Sequence, residues 1–255
     1  MNGETKKKSV GSVLYDDVMG GLRPMIPFVA GGGILMAISF MFGMRIGDNS
    51  VNQFAKILYE IGHNNAMLLM IPIFAGFIAH TIAGQDALAP GMIGGMIAKT
   101  TGSGFLGGIV AGFLAGYLVK LLNKLLGNFP EDFQSIKKLL IIPVISTFVV
   151  GIVMLCVVSV PMAWLNQGLT GFIDGLGTQN LVLTGMVIGG MMAVDLGGPI
   201  NKVAYTFAVA AISNGNYYPM AAAMVGGVVP PLGVALATTL FLSLIHISEP
   251  TRHAQ

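Results

Sequence analysis

Apolar positions run along this sequence in long blocks. With His counted as neutral, 21 uncharged residues separate Arg23 from Arg45, 20 separate Lys99 from Lys120 and 35 separate Lys138 from Asp174. A further 20 separate Asp174 from Asp195, and 46 separate Lys202 from Glu249. A helix needs roughly 20 apolar residues to cross the hydrocarbon core. Unbroken runs of this kind point to membrane helices, because barrel strands read as shorter segments of alternating polarity. The pattern therefore predicts an all-α polytopic membrane protein with about six to eight transmembrane helices, some of them re-entrant or broken, and one interfacial amphipathic helix.

The elements follow in order. Residues 9–22 read as a short amphipathic segment at the interface, followed by a first span over about Pro24–Met44 and a polar connection over 45–64. A second span covers about Ala66–Ile82. In "AGQDALAPGMIGGMIAK" only 12 uncharged residues lie between Asp86 and Lys99, and they include Pro90. That is short for a crossing and suits a re-entrant or broken element between 83 and 104. Over Gly104–Leu122, glycines at 104, 108, 112 and 116 give one face on which a neighbouring backbone can pack closely. Leu139–Val160 reads as a long span. In "PMAWLNQGLTGFIDGLG" the apolar positions Trp164, Leu165, Leu169, Phe172, Ile173 and Leu176 share a face, which suits an interfacial helix. Asn180–Val194, Val203–Ile212 and Met220–Leu242 complete the set, the last kinked at Pro230-Pro231.

Composition agrees: the chain of 255 residues is 54% hydrophobic and 9% charged, against about 25% charged in soluble domains. The net charge of +2 comes with no basic, aromatic-rich patch of the kind that binds nucleic acid. The N-terminus lacks the apolar core of a signal peptide. Lys6, Lys7, Lys8 and Arg23 place it on the cytoplasmic side, and Lys120, Lys124, Lys137 and Lys138 place the 120–138 loop there too. Both hold only if an even number of crossings lies between them; three clear spans do not satisfy that, so the alternative for the Asp86–Lys99 element is a full crossing.

Candidate chemistry concentrates in "MMAVDLGGPINKVAY". Intramembrane charge costs about 2.5–3.5 kcal/mol per residue on insertion scales and usually marks function. Asp195 and Lys202 flank Gly197, Gly198 and Pro199, which disfavour a continuous helix there. A break would expose backbone groups that need partners or a water-filled cavity, as in transporters. Two readings stand: Asp195 and Lys202 satisfy each other or the backbone, or they line a cavity that holds a hydroxylated solute together with Asn201. His80 is a second candidate, beside Gln85 and Asp86; the alternative for it is a helix-end histidine bonded to backbone. "GGPINK" lacks phosphate-loop spacing. No metal-ligand spacing and no nucleophile–base pair occurs, so neither a metal, a cofactor nor a catalytic residue is expected on this chain.

The blocks "MIPFVAGGGILMAISFMFG", "IPIFAGFIAHTIAGQDALAPGMIGGM", "GSGFLGGIVAGFLAGY" and "MMAVDLGGPINKVAYTF", followed by "PPLGVALAT", resemble the membrane IIC component of the bacterial phosphoenolpyruvate-dependent sugar phosphotransferase system, fructose type. The resemblance covers about residues 10–243. It implies a dimeric inner-membrane protein that moves fructose or a related sugar inward while a IIB partner, recharged by IIA, phosphorylates it. The site residues it implies are Asp195, Gly197, Gly198, Pro199, Asn201 and Lys202. Cys156 is expected to be buried in its span and to carry no phosphoryl group. The sequence departs from the family in three places: "AGQDALAPG" has no basic residue before its A-P-G block, no G-I-x-E block occurs, and "SLIHISEPTRHAQ" resembles adaptor read-through. A membrane domain over 1–243, incomplete at its C-terminus, with a non-native tail over 244–255, is the resulting expectation. A secondary transporter or channel with an Asp195/Lys202 ion relay is the alternative function.

Overall fold

Helix follows helix through the computed structural model of the protein, which describes residues 10–44, 52–127, 134–175, 181–194, 199–213 and 215–241. Among the described residues there is no strand, and five helices are long and apolar enough to cross a membrane. They are Gly11–Met41, Gln53–Ala83, Gly104–Leu125, Gln134–Gly168 and Tyr218–Ala237. The all-α polytopic class stands. The tail at 244–255 lies outside the described residues.

The first span and the segment before it form one helix, α1 (Val10–Met41), which runs through Pro24 and Pro27. Of the segment expected over 9–22, the described residues 10–22 are therefore the start of the first long helix rather than a separate interfacial piece. Prolines are tolerated in apolar helices because neighbours and local adjustments satisfy the freed carbonyls. The described part of the polar connection is also helical from Gln53: α2 (Gln53–Tyr59) continues through a π-helical turn, Glu60–Ala66, towards α3 (Met70–Ala83). Asn52 caps α2, its side chain accepting from the Phe54 N–H at 3.0 Å.

The chain divides into two compact units, residues 1–168 and 169–255. In the first, α1, α4 (Leu88–Thr100) and α5 (Gly104–Leu125) pack around α3. Glycines set the contacts. Gly91 faces Ala79 and Gly95 faces Ala75 and Pro72, so α4 runs antiparallel to α3. Gly108 faces Ile71, Gly112 faces Ile78 and Gly116 faces Ile82, so α5 runs parallel to it. The glycine ladder is thus a packing surface, as expected. Gly20 faces Thr81 and Gly32 faces Ala66, so α1 is antiparallel to the 53–83 helix.

These directions fix which helix ends lie together in the first unit. Although α4 has only 13 residues, roughly 20 Å at 1.5 Å per residue, it carries the chain along α3 and does not turn back. A 3-10 turn, Gln85–Ala87, and Gly84 at φ +77° join the two. The start of α1 and the end of α5 consequently lie at the same end of the unit. There Lys137 is buried and its Nζ donates to the Leu126 carbonyl at 2.6 Å, satisfying the C-terminal end of α5.

Residues 134–168 form one long helical run, built of α6 (Gln134–Ile136), a π-helical turn Lys137–Ile141, α7 (Ile142–Val153), a second π-helical turn Met154–Val158, and α8 (Ser159–Gly175). A proline follows each wide turn: Pro143 comes just after the first, in which the Ile142 N–H donates to the Lys137 carbonyl, and Pro161 just after the second, in which the Ser159 N–H donates to the Met154 carbonyl. The Trp164 segment, expected as a separate interfacial helix, continues the Leu139–Val160 span without a break. Cys156 is exposed on this helix rather than buried, because the helix turns its buried positions, Ile142, Ser146, Val150 and Met154, to the other side.

The second unit holds α9 (Leu181–Val194), α10 (Pro199–Ser213) and α11 (Tyr218–Phe241), packed on one another. A Cβ at Gly226 would lie 2.5 Å from the Gly189 Cα, so α9 and α11 cross backbone to backbone. Pro230 and Pro231 lie inside α11.

Candidate functional site

The polar segment that interrupts the apolar pattern falls where α9 gives way to α10. Helix α9 ends at Val194 and α10 begins at Pro199, whose fixed φ suits a first helical position. Asp195, Gly197 and Gly198 lie outside the described residues, as do the side chains of Pro199 and Lys202. Asn201 is described. Its Nδ2 donates to the Met192 carbonyl at 3.0 Å. That carbonyl is one of the last four of α9, which an ended helix leaves without an internal partner. The Asn201 amide therefore reaches back across nine residues and ties the first turn of α10 to the last turn of α9. Ala204, Ala208 and Ala211 are buried on α10, at three, seven and ten positions beyond Asn201, which sets Asn201 on the packed face of that helix.

His80 stands in the last turn of α3, in the first unit. Its carbonyl accepts from the Gly84 N–H at 2.7 Å, which closes the helix. Its ring lies edge-on to Phe77 with centroids 5.9 Å apart. The Nδ1 atom is buried and has no hydrogen-bond partner among the described residues. Around α3, Thr81 and Ile78 face α1, Ala79 and Gly76 face α4, and Ile82 and Ile78 face α5. His80, Phe77 and Ile73 share the remaining face, at the three-, four- and seven-residue spacing of one helix side. A buried ring nitrogen without a partner costs about 1–3 kcal/mol, and a hydroxyl arriving on that face would recover it. The backbone bond expected for His80 under the alternative reading is made by its carbonyl and not by its ring. Asp86, beside it in sequence, accepts from Asn123 Nδ2 at 3.5 Å and is thus engaged with α5.

Among the described residues, Asp17, Ser103 and Asn166 are buried polar groups that the reading of the sequence did not single out as sites. Asp17 is 7% exposed within α1; its signal was a carboxylate three and four residues before the Gly20–Gly21 contact with α3. Ser103 Oγ donates to the Ser159 carbonyl at 3.1 Å, and Asn166 Nδ2 donates to the Gly102 carbonyl at 3.2 Å. Together these tie the α4–α5 turn to α8, where Gly102 and Gly104 adopt positive φ. Among the described residues no group of three His, Cys, Asp or Glu side chains is placed to hold a metal ion.

Comparison with known proteins adds a lineage to this geometry. The family profile described as "Phosphotransferase system, EIIC" matches residues 19–246. The "PTS system fructose-specific EIIABC component" of Bacillus subtilis (strain 168) is 50% identical over 244 residues, covering 93% of this chain and 38% of that protein. The "Fructose permease IIC component" of Bacillus amyloliquefaciens is 50% identical over 194 residues, 76% of this chain and 64% of that protein. The "PTS system fructose-specific EIIC component" of Haloferax volcanii is 38% identical over 257 residues, 92% of this chain and 68% of that protein. This chain thus spans between about two-fifths and two-thirds of the length of these relatives. No solved structure shows a significant match. An all-helical apolar bundle, a polar junction between two short helices and a profile match over most of the sequence converge on one conclusion: the chain belongs to the EIIC family of the phosphotransferase system.

Proposed function

We propose that this chain is the sugar-translocating membrane subunit of a fructose-type phosphotransferase system. The observation that carries the reading is the α9–α10 junction, a polar segment in an apolar chain whose Asn201 ties two helix ends together. The names of the relatives, fructose-specific EIIC components among them, support the choice of sugar. In this reading residues 1–243 form a membrane domain with its N-terminus cytoplasmic in a bacterial inner membrane. It works as a homodimer with IIB and IIA phosphocarriers.

The sugar binds along the Asp195–Lys202 segment. Asp195 accepts hydroxyl hydrogens, the glycines at 197 and 198 let backbone groups approach the ring, Pro199 starts α10, and Lys202 balances the carboxylate. Asn201 holds the segment in shape and offers its amide to a hydroxyl. His80, in the first unit, is a separate candidate that can accept or donate a hydroxyl hydrogen bond at its Nδ1. Inward opening presents the sugar to phosphorylated IIB, whose phosphoryl group passes from the cysteine sulfur to a sugar hydroxyl oxygen. This chain supplies binding and passage.

The test uses sealed vesicles holding the protein, and in parallel a chimera extending residues 1–242 with the corresponding later spans of the Bacillus subtilis relative. IIA, IIB and the phosphoenolpyruvate-driven enzymes are enclosed, and labelled fructose is supplied outside. Label recovered inside as sugar phosphate, and only with IIB present, is the expected result. Free labelled sugar accumulating without IIB would replace this reading with a secondary transporter relying on Asp195 and Lys202.

A further inference from the structure

One stripe of α5 changes character along its length. Phe113, Tyr117, Lys120, Leu121 and Lys124 share the side turned away from α3, at the 3–4-residue spacing of a helix face. Phe113 and Tyr117 stack with centroids 6.3 Å apart, Tyr117 is 48% exposed and Leu121 52%. The two lysines are exposed as well. Apolar surface gives way to aromatic and then to cationic surface over the last turns, in the order in which acyl chain, interface and headgroup follow one another in a bilayer. The next helix repeats the order at the same end. Lys138 is exposed, and Leu139 beyond it is 80% exposed at the foot of an apolar stripe. The bond from Lys137 to the Leu126 carbonyl fixes this second foot beside the first.

We propose that Lys124 and Lys138, with Lys120, form a docking surface for the headgroup of an anionic phospholipid whose acyl chains lie along Tyr117, Leu121 and Leu139. The charge is complementary, and the surface is continuous with the apolar flank that the bilayer covers. A lysine near an anionic lipid surface contributes about 1 kcal/mol, roughly fivefold in affinity. Lys120 also lies within electrostatic reach of Asp17, so Lys124 and Lys138 are the more available pair. Their flexible stems lie along apolar surface while their ammonium groups reach the phosphate.

The test compares the parent with Lys124→Gln/Lys138→Gln, both embedded in nanodiscs of phosphatidylcholine mixed with phosphatidylglycerol. Lipid that stays bound after mild extraction is counted by native mass spectrometry, and helix content is checked by circular dichroism. The parent is expected to retain phosphatidylglycerol over phosphatidylcholine. The glutamine pair should hold it at least about fivefold more weakly, while Lys124→Arg/Lys138→Arg keeps it. A control removing equal charge at the other end of the bundle, Lys56→Gln/Lys99→Gln, should behave as the parent does. Unchanged retention in the glutamine pair, equal loss in the control, or equal loss in the arginine pair would each overturn the proposal. So would a glutamine pair that keeps the lipid and instead loses capture of a phosphorylated IIB domain, which would make this a protein-docking surface.

Discussion

Gly112→Leu is expected to remove the folded protein from the membrane fraction. A Cβ at Gly112 would stand 2.8 Å from the Ala75 carbonyl oxygen and 2.7 Å from the Ile78 Cβ. Ala75 and Ile78 are fully buried in α3, so the obstruction is helix backbone and a locked side chain rather than a mobile tip. Overpacking a filled core costs about 1–3 kcal/mol and occasionally more. Leucine adds three more carbons in the same direction, which forces α5 away from α3 along the ladder. Because α3 is also the seat of α1 and α4, the damage spreads through the unit. Size-exclusion profiles of the extracted protein should show the monodisperse peak lost for Gly112→Leu and kept for Gly31→Leu, whose Cβ would meet nothing within 4 Å. A monodisperse Gly112→Leu protein of parental stability would refute this packing.

Asn201→Leu should loosen the junction between α9 and α10. Leucine matches the size of the amide but cannot donate to the Met192 carbonyl, which is then left without the bond observed at 3.0 Å. An acceptor stranded in a buried setting costs about 1–3 kcal/mol, which corresponds to amide exchange faster by roughly 5- to 150-fold where local opening controls it. Hydrogen exchange of peptides covering 186–207 reads this directly. Protection in Asn201→Leu equal to that of the parent would show that the bond does not hold the junction.

The sequence pattern located most helices because apolar runs of membrane length admit few other structures. It also disclosed a close-packing face on α5, since glycines at every fourth position can serve one helix face, but not that α3 is the helix it meets. It did not show where helices continue. Asp16, Asp17 and Arg23 interrupt hydrophobicity but not backbone hydrogen bonding, so α1 passes through them. The Trp164 segment shifts from apolar to amphipathic while its helix simply carries on. Nor did the pattern show the wide turns at Lys137–Ile141 and Met154–Val158, which precede Pro143 and Pro161.

At the candidate site the legible part was composition: a charged, glycine-rich segment where charge is costly. The illegible part was direction. Nothing in the spacing of Asn201 and Met192 showed that the amide would turn back to a carbonyl nine residues earlier, because that contact exists only once α9 ends and α10 folds beside it. Nor did "FIAHTIAG" reveal that the His80 carbonyl would be bonded and its Nδ1 buried without a partner. That distinction depends on which face of α3 its three neighbours cover.

Equilibrium binding of labelled fructose to the purified protein, parent against Asp195→Asn, tests the sugar site most directly. The carboxamide keeps the size of the carboxylate and removes its charge, and hydrogen bonds to a charged group are worth about 1.5–3 kcal/mol. Asp195→Asn with unchanged helix content should therefore bind fructose roughly 10- to 150-fold more weakly, while Asn64→Ala, on the exposed π-helical turn between α2 and α3, should bind as the parent does. Equal affinity in the parent and in Asp195→Asn would contradict the account and place the sugar away from the α9–α10 junction.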